Sequence, residues 1–153
     1  MAVLSRERWK RLSFLVADDA GVVRAMIQMT LLSLGAGSVR MVSDGEEALA
    51  ELRQSPVDIV ISDLNMLPVS GLEFLRSLRA EQDPGLAGTP VLVMSGYGEH
   101  EVKDEILAAG ADAFLTKPAR PCGIEEQVAA ILESRNLLHP ASAEAESVSG
   151  RAA

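Results

Sequence analysis

Cysteine and aromatic residues are scarce in this sequence. Cys122 is the only cysteine among 153 residues, so the chain cannot form an internal disulfide, which favours a reducing compartment. Aromatic residues make up 3% of the chain, whereas hydrophobic residues make up 48%. The composition therefore predicts one domain with a sizeable core built from aliphatic side chains.

Positive charge and long apolar runs are also in short supply. The formal net charge of −8 argues against binding to a nucleic-acid backbone, which requires a basic surface, and suits a cation or a basic partner. No apolar run approaches the roughly 20 residues that span a bilayer. Charged residues between Arg6 and Arg11 interrupt what would be the apolar core of a signal peptide. We expect a cytoplasmic protein that binds neither nucleic acid nor membranes.

Apolar runs and helical periodicity alternate along the chain. The runs predict five strands, at residues 12–17, 38–42, 57–62, 91–94 and 113–116. Apolar residues at three- and four-residue steps predict five helices, at residues 23–34, 46–52, 71–80 and 101–109 and from just after Gly123. Because the strands are continuous apolar runs, the pattern predicts an α/β fold, a doubly wound five-stranded parallel sheet with helices on both faces.

The composition changes near both ends of the chain. Residues 1–11 form a mostly polar lead-in, in which Trp9 is expected to pack on the edge of the domain. Residues 12–138 form the domain. Residues 139–153 consist mainly of small and polar residues without a period, which predicts a disordered tail.

Polar side chains follow four of the five predicted strands. They are Asp18 and Asp19 after the first strand, Asp63 after the third, Ser95 after the fourth and Lys117 after the fifth. The carboxyl ends of parallel strands form the ligand-binding edge of such a sheet. Singly, each residue has an ordinary explanation, such as a helix N-cap for an aspartate, a turn for the serine or a solvated charge for the lysine.

Taken together, these residues predict a phosphoryl site. Three carboxylates on one edge repel one another unless a cation offsets their charge, and a few oxygen ligands suit Mg²⁺. A lysine ammonium and a serine hydroxyl can hold phosphoryl oxygens. His100 and His139 do not form a zinc-type cluster with the single cysteine.

The ordered set of motifs resembles the receiver domain of response regulators in bacterial two-component signalling, of the chemotaxis-regulator type. The resemblance covers residues 12–138 and rests on Asp18-Asp19, Asp63, Asn65 with Gly71, Ser95, and Lys117-Pro118. It implies a flavodoxin-like sheet with strand order 2-1-3-4-5.

The resemblance also implies roles for individual residues. Asp63 is expected to be the phosphoacceptor, a carboxylate nucleophile. Asp18, Asp19 and Asp63 are expected to bind Mg²⁺ together with the backbone carbonyl of Asn65. Lys117 is expected to contact the phosphoryl group.

A two-state switch follows from the same resemblance. Ser95 is expected to turn toward the phosphoryl group and Phe114 to turn inward, which reshapes the surface made by the fourth predicted helix, the fifth strand and the fifth predicted helix. The peptide bond between Lys117 and Pro118 is expected to be cis. Tyr97, in the loop after Ser95, would share this surface under the same resemblance, but an exposed loop tyrosine is the simpler explanation.

The resemblance further implies partners. A sensor histidine kinase or a phosphotransfer protein would phosphorylate the domain, and a downstream protein would bind the reshaped surface. Because we recognise no output segment after residue 138, we expect a stand-alone receiver that is not a turnover enzyme. It would be a monomer or a phosphorylation-dependent dimer.

Three positions depart from the usual pattern of the family. Leu67 stands where a proline is usual, and Pro68 comes next, although Gly71 keeps its usual offset from Asp63. Ala119 occupies a place where a bulky residue is common. Gly96 occupies one where alanine is common.

Two other hypotheses belong to different classes. A phosphatase of the haloacid-dehalogenase type also uses a strand-end aspartate, but it needs an acid two residues later, where this chain has Asn65. A purely structural interaction module would keep the pocket without being phosphorylated, and the complete set of acids argues against it.

Overall fold

Five parallel strands form a single sheet at the centre of the molecule. The computed structural model describes residues 4–96 and 102–135. The strands are β1 (Ser13–Ala17), β2 (Ser38–Val42), β3 (Ile59–Asp63), β4 (Val91–Ser95) and β5 (Ala113–Thr116). Their order across the sheet is β2-β1-β3-β4-β5, and all neighbouring strands are parallel. The predicted doubly wound sheet and its strand order are confirmed.

Seven helices, rather than the predicted five, occur within the described residues. They are α1 (Arg6–Lys10), α2 (Gly21–Leu34), α3 (Gly45–Gln54), α4 (Gly71–Arg79), α5 (Pro84–Ala87), α6 (Lys103–Ala108) and α7 (Pro121–Ser134). The helix α7 begins earlier than predicted because Pro121 occupies its first turn, where the missing N–H of proline costs no hydrogen bond.

The two additional helices are too short to show a hydrophobic period. Helix α1 is capped by the side chain of Ser5, which accepts a hydrogen bond from the amide of Arg8. Helix α5 is a single turn capped by Asp83, with Pro84 in its first turn. Local capping chemistry, not periodicity, explains both helices.

Trp9 lies in the core, not on the edge of the domain as expected. Its side chain is 1% exposed, and its ring stacks on Phe14 with the ring centroids 5.9 Å apart. Gly37 permits this packing, since a Cβ atom there would lie 2.1 Å from the carbonyl oxygen of Lys10. Part of the predicted lead-in therefore contributes to the core.

The core has two layers, one on each face of the sheet. Buried residues of β1, β3 and β4 on one face pack against α1, α2 and α7. Buried residues on the other face pack against α3, α4, α5 and α6. Because successive strand residues point to opposite faces, burial of both faces explains why the strands read as continuous apolar runs. Polar residues such as Asp18, Asp63 and Ser95 are left to the ends of the strands.

Several predictions fall outside the described residues. These are the predicted tail at residues 139–153, and Tyr97 and His100. None of the helices in the described ranges has the length and hydropathy required to span a bilayer.

Candidate phosphoacceptor site

Lys117 joins two aspartates from different strands. Asp63 is the last residue of β3, and Asp18 directly follows β1. The β1–β3 register pairs Ala17 with Ser62, so the two carboxylates emerge side by side. The Nζ atom of Lys117 lies 2.9 Å from Oδ2 of Asp18 and 3.0 Å from Oδ1 of Asp63. The tertiary structure thus brings these three predicted residues together.

Asp18, Asp19 and Asp63 form an acidic cluster. Each offers one carboxylate oxygen, and these oxygens all lie within 4.8 Å of one another. Asp18 and Asp63 are buried, whereas Asp19 is exposed. The three carboxylates and the single ammonium of Lys117 leave two negative charges uncompensated. Hard oxygen ligands with uncompensated negative charge fit a divalent cation such as Mg²⁺.

Asp18 has a local structural role as well. Its Oδ1 atom accepts a hydrogen bond from the amide of Ala20 at 2.9 Å. The N-cap of α2 is Ala20, without a side-chain cap, so this bond forms a local turn before the helix and Asp18 is not the N-cap that the sequence left open. The structure shows that Asp18 combines this turn with the ion pair to Lys117.

The electrostatic environment of Asp63 disfavours its charged form in the absence of a cation. Burial raises the pKa of Asp63, and the charge of Asp18 acts in the same direction. Hydrogen bonds from Lys117 and from the backbone amide of Asn65 lower the pKa of Asp63 without cancelling the increase. A divalent cation bound to the cluster would favour the ionised carboxylate, which is the nucleophilic form.

Lys117 keeps its proton in the same environment. Burial acts to lower the pKa of Lys117, but its hydrogen bonds to Asp18 and Asp63 outweigh that effect and raise it. The ammonium is therefore charged at neutral pH.

Gly71 sets the approach of α4 to Asp63. A Cβ atom at this position would lie 2.1 Å from the backbone oxygen of Asp63 and 2.9 Å from the Cα atom of Leu64. The amide of Gly71 also donates a hydrogen bond to the carbonyl of Leu64 at 2.8 Å. The motif requires glycine here because the helix start rests directly on the end of β3.

Ser95 lies next to the cluster at the end of β4. It is buried, and the β3–β4 register pairs Asp63 with Met94, one residue before it. The Ser95 hydroxyl donates a hydrogen bond to the carbonyl of Gly96 at 3.1 Å. The Ser95 carbonyl accepts one from the amide of Lys117 at 2.7 Å. The structure thus places Ser95 between the β3 and β5 ends of the site.

Phe114 lies in β5, where it pairs with Val93 of β4. Its side chain is half-buried and packs against the core layer beneath α4 and α6. Core packing therefore describes its position in this conformation, and its part in a switch stays a prediction.

Two cis peptide bonds flank the site. The bond between Lys117 and Pro118 is cis, as the resemblance implied. The bond between Leu67 and Pro68 is also cis, which no sequence signal indicated. The Leu67 side chain is 81% exposed, so an apolar side chain projects from the loop after Asp63.

Arg24 is a site residue that the sequence analysis missed. Its Nη1 atom donates a hydrogen bond to the backbone carbonyl of Asp18 at 2.6 Å. A basic residue in the first turn of a helix that follows an acidic pair could have indicated such a contact. Arg24 thus helps to hold the segment that carries two of the predicted metal ligands.

The profile of the family described as the response regulator receiver domain matches residues 14–129 of this chain. The chain belongs to this family. Receiver domains act as signalling switches through a phosphoacceptor, and they interact with histidine kinases and downstream targets. The assignment favours the signalling interpretation over a haloacid-dehalogenase-type phosphatase.

Individual relatives agree with this assignment. This receiver domain is 28% identical to the chemotaxis protein CheY-3 of Vibrio cholerae over 124 residues, which are 81% of this chain and 94% of that protein. It is 35% identical to the gliding motility regulatory protein of Myxococcus xanthus over 108 residues, which are 71% of this chain but 14% of that protein.

A solved structure supports the same conclusion about the fold. The chemotaxis response regulator CheY4 of Vibrio cholerae superposes with a TM-score of 0.71 at 32% sequence identity. The superposition covers 79% of this chain and 98% of that chain.

Proposed function

We propose that Asp63 accepts a phosphoryl group, in a Mg²⁺-dependent reaction, from a phosphohistidine of a sensor histidine kinase or a phosphotransfer protein. The observation that carries this proposal is the contact of Lys117 with both Asp18 and Asp63 inside the acidic cluster. If Lys117 were only a solvated charge and the aspartates only helix caps, there would be no reason for the three side chains to meet. Family membership supports the same chemistry.

The transfer step needs little beyond positioning and charge compensation. One carboxylate oxygen of Asp63 forms a bond to phosphorus while the phosphorus–nitrogen bond of the phosphohistidine breaks. The electron pair of that bond goes to the imidazole nitrogen, which takes up a proton. The ammonium of Lys117 offsets charge on the phosphoryl oxygens.

The cation would occupy the acidic cluster. Asp18, Asp19 and Asp63 would hold it with the backbone carbonyl of Asn65. Mg²⁺ supplies compensation of the negative charge that the carboxylates and the phosphoryl oxygens share.

The expected response is a rearrangement of one surface. The Ser95 hydroxyl would leave the Gly96 carbonyl and donate to a phosphoryl oxygen. The space released would let Phe114 turn inward and reshape the surface formed by α6, β5 and α7, where a downstream protein would bind. The burial of Ser95 and the half-buried position of Phe114 are compatible with this movement.

We also propose that the receiver domain acts alone, without an attached output domain. The matched region is 94% of CheY-3 but only 14% of the gliding motility regulatory protein, so some relatives are little longer than the receiver domain and others are much longer. The mass of the protein isolated from its source organism would test the prediction.

Acetyl phosphate provides a direct test. Incubation of the protein with acetyl phosphate and Mg²⁺ should add the mass of one phosphoryl group, and chelation of Mg²⁺ by EDTA should prevent the addition. Asp63→Asn should remain unmodified, whereas Asp58→Asn, which changes an aspartate at the opposite edge of the sheet, should react like the wild type. An unmodified wild type, or an undiminished adduct on Asp63→Asn, would end the proposal.

Beryllofluoride, a mimic of the phosphoryl group, separates the switch from an unresponsive structural module. In the presence of Mg²⁺ it should change the NMR shifts of β5 and of the adjoining ends of α6 and α7. Binding without any change on that surface would support a phosphoacceptor that does not switch.

A further inference from the structure

Arg79 ties together several elements at the edge of the sheet opposite the phosphoacceptor. It is the last residue of α4, and its guanidinium donates five hydrogen bonds. The acceptors are the carbonyl oxygens of Ala87, Thr89 and Gly110, the last of which accepts two, and a carboxylate oxygen of Asp112. A guanidinium has five N–H groups, so every donor is used.

Asp112 is the centre of this arrangement. It immediately precedes β5, and its side chain is 12% exposed. Its carboxylate accepts hydrogen bonds from Arg79 at 3.1 Å, from the amide of Val91 at 3.0 Å and from Arg135 at 2.7 and 3.0 Å. The amide of Asp112 donates in turn to the carbonyl of Val91 at 2.9 Å. Asp112 thus joins the starts of β4 and β5.

Arg135 extends the arrangement to the last helix. It follows α7 and pairs with Asp112 through two parallel hydrogen bonds, the geometry in which a guanidinium holds a carboxylate most firmly. It also donates a hydrogen bond to the carbonyl of Gly88. The group of Arg79, Asp112 and Arg135, which we call the basal clamp, therefore fixes the carboxyl ends of α4 and α7.

Gly110 gives the clamp close contact with α6. Its φ is +113°, and a Cβ atom there would lie 2.9 Å from Nε of Arg79. A side chain at this position would be strained and would push the guanidinium away. The carboxyl end of α6 is thereby held as well.

The clamp and the site hold opposite ends of the same elements. Asp112 and Lys117 flank β5, and at about 3.3 Å per residue they are roughly 16 Å apart along the strand. The site end of β5 carries the groups expected to move, whereas at the clamp end Asp112 is hydrogen-bonded to Arg79 of α4, Val91 of β4 and Arg135 after α7. An element that is held at one end and displaced at the other rotates about the held end, and such rotation is one of the movements by which switches act.

We propose that the basal clamp is the fixed pivot of the phosphorylation switch. In this proposal, which rests on the function proposed above, phosphorylation of Asp63 displaces the site ends of β5, α6 and α7 while Asp112 keeps their other ends in place. The clamp thus confines the structural response to the part of the α6–β5–α7 surface nearest the phosphoryl group.

Amide hydrogen exchange, with and without beryllofluoride and Mg²⁺, tests the pivot. In the wild type, exchange should change at residues 113–121 and stay unchanged at residues 106–112 and 130–135. In Asp112→Asn, which turns an acceptor toward Arg135 into a donor, exchange at both clamp segments should become about tenfold faster, because local opening costs less. The beryllofluoride response should then spread into those segments.

Asp58→Asn is the matched control. Asp58 lies at the same edge of the sheet, and its Oδ2 atom accepts hydrogen bonds from the amide and the hydroxyl of Ser13 at 2.8 and 3.1 Å. It joins β1 to β3 and does not touch the basal clamp, so the response to beryllofluoride should stay confined in this variant. Arg135→Lys keeps the charge but loses the paired geometry, so it should have the same effect as Asp112→Asn in a milder form. It replaces Asp112→Asn in the test if Asp112→Asn does not fold.

Three outcomes distinguish the hypotheses. If the wild type binds no beryllofluoride and forms no phosphoryl adduct, the proposed function fails. If the adduct forms but the clamp segments of the wild type respond as strongly as residues 113–121, the pivot is wrong. The pivot is equally wrong if the response in folded Asp112→Asn or Arg135→Lys stays confined.

Discussion

The charge of Lys117 has opposite effects on two properties of the site. Its ammonium offsets part of the charge of Asp18 and Asp63, and it is also the group that would hold phosphoryl oxygens. Lys117→Gln should therefore bind Mg²⁺ several-fold more tightly, because one more negative charge is left uncompensated, while losing most of its reaction with acetyl phosphate.

Calorimetric titration with Mg²⁺ and intact mass measure these two effects. Lys103→Gln, which removes an exposed charge at the start of α6, is the control and should change neither. Weaker Mg²⁺ binding by Lys117→Gln would contradict this account of the charges.

Gly71 is a second residue whose role is steric. Gly71→Ala should destabilise the fold by about 1–3 kcal/mol, the usual cost of overpacking, since its Cβ would overlap the backbone oxygen of Asp63. It should also slow the reaction with acetyl phosphate, because the overlap displaces Asp63, the proposed phosphoacceptor.

Urea denaturation and intact mass test these expectations for Gly71. Gly85→Ala provides the comparison, since a Cβ there would lie 3.5 Å from its nearest neighbour, an oxygen of Asp83. An equal effect of the two substitutions would contradict the steric explanation.

Hydrogen bonds of Glu47 at the start of α3 stabilise the folded state in a pH-dependent way. Glu47 accepts hydrogen bonds from the amide and the hydroxyl of Ser43 at 2.7 and 2.8 Å, while Asp44 caps the amide of Glu47. The bond from the Ser43 amide, followed by that from its hydroxyl, lowers the pKa of Glu47. Since the folded pKa lies below the unfolded one, the stabilisation is present above the unfolded pKa and is lost as the pH falls through the folded pKa.

Glu47→Gln should therefore reduce the unfolding free energy by less than about 1 kcal/mol at neutral pH, because the carboxylate is exposed. The difference between wild type and variant should shrink on acidification through the folded pKa of Glu47. Urea denaturation at several pH values measures it. If the difference in unfolding free energy between wild type and Glu47→Gln grows on acidification, this explanation of the Glu47 hydrogen bonds is wrong.

Length explains most of the difference between the helices that the sequence predicted and those that it did not, although the predicted α6 spans only 6 residues. Helices α2, α4 and α7 span 14, 9 and 14 residues, enough for an apolar period to appear. Helices α1 and α5 span 5 and 4 residues, too few to show a period. Their formation depends on their N-caps and, for α1, on the tertiary contacts of Trp9. Short elements depend on what they pack against.

Charge links the site to the stability of the whole molecule. The chain carries a net charge of −8, and the acidic cluster leaves part of it concentrated at one edge of the sheet. Mg²⁺ should raise the unfolding temperature, with a gain of about 2.7 kcal/mol at a hundredfold excess over its dissociation constant. Asp63→Asn should weaken this effect.

Thermal melts in Mg²⁺ and in EDTA measure this stabilisation. A third melt in sodium chloride of matched ionic strength separates binding at the site from general screening. Equal stabilisation by sodium chloride would show that the cation does not act at the cluster.

The sequence by itself determined the fold class and most of the site chemistry. Continuous apolar runs require a sheet buried on both faces, and polar residues at the ends of such runs must meet at one edge. Asp18, Asp63 and Lys117 were therefore expected at one edge of the sheet, whereas their contacts depend on the strand order and on the reach of the Lys117 side chain. The family resemblance added the strand order and the roles of these residues.

Only the tertiary structure decided the contacts between residues that are distant in the chain. The burial of Trp9, the overlap that forces glycine at position 71 and the clamp between Arg79, Asp112 and Arg135 all depend on how close the packed elements approach. Periodicity reports which face of an element is apolar, but it carries no information about distances across the sheet. Those distances determine which charges pair and which end of the sheet is held.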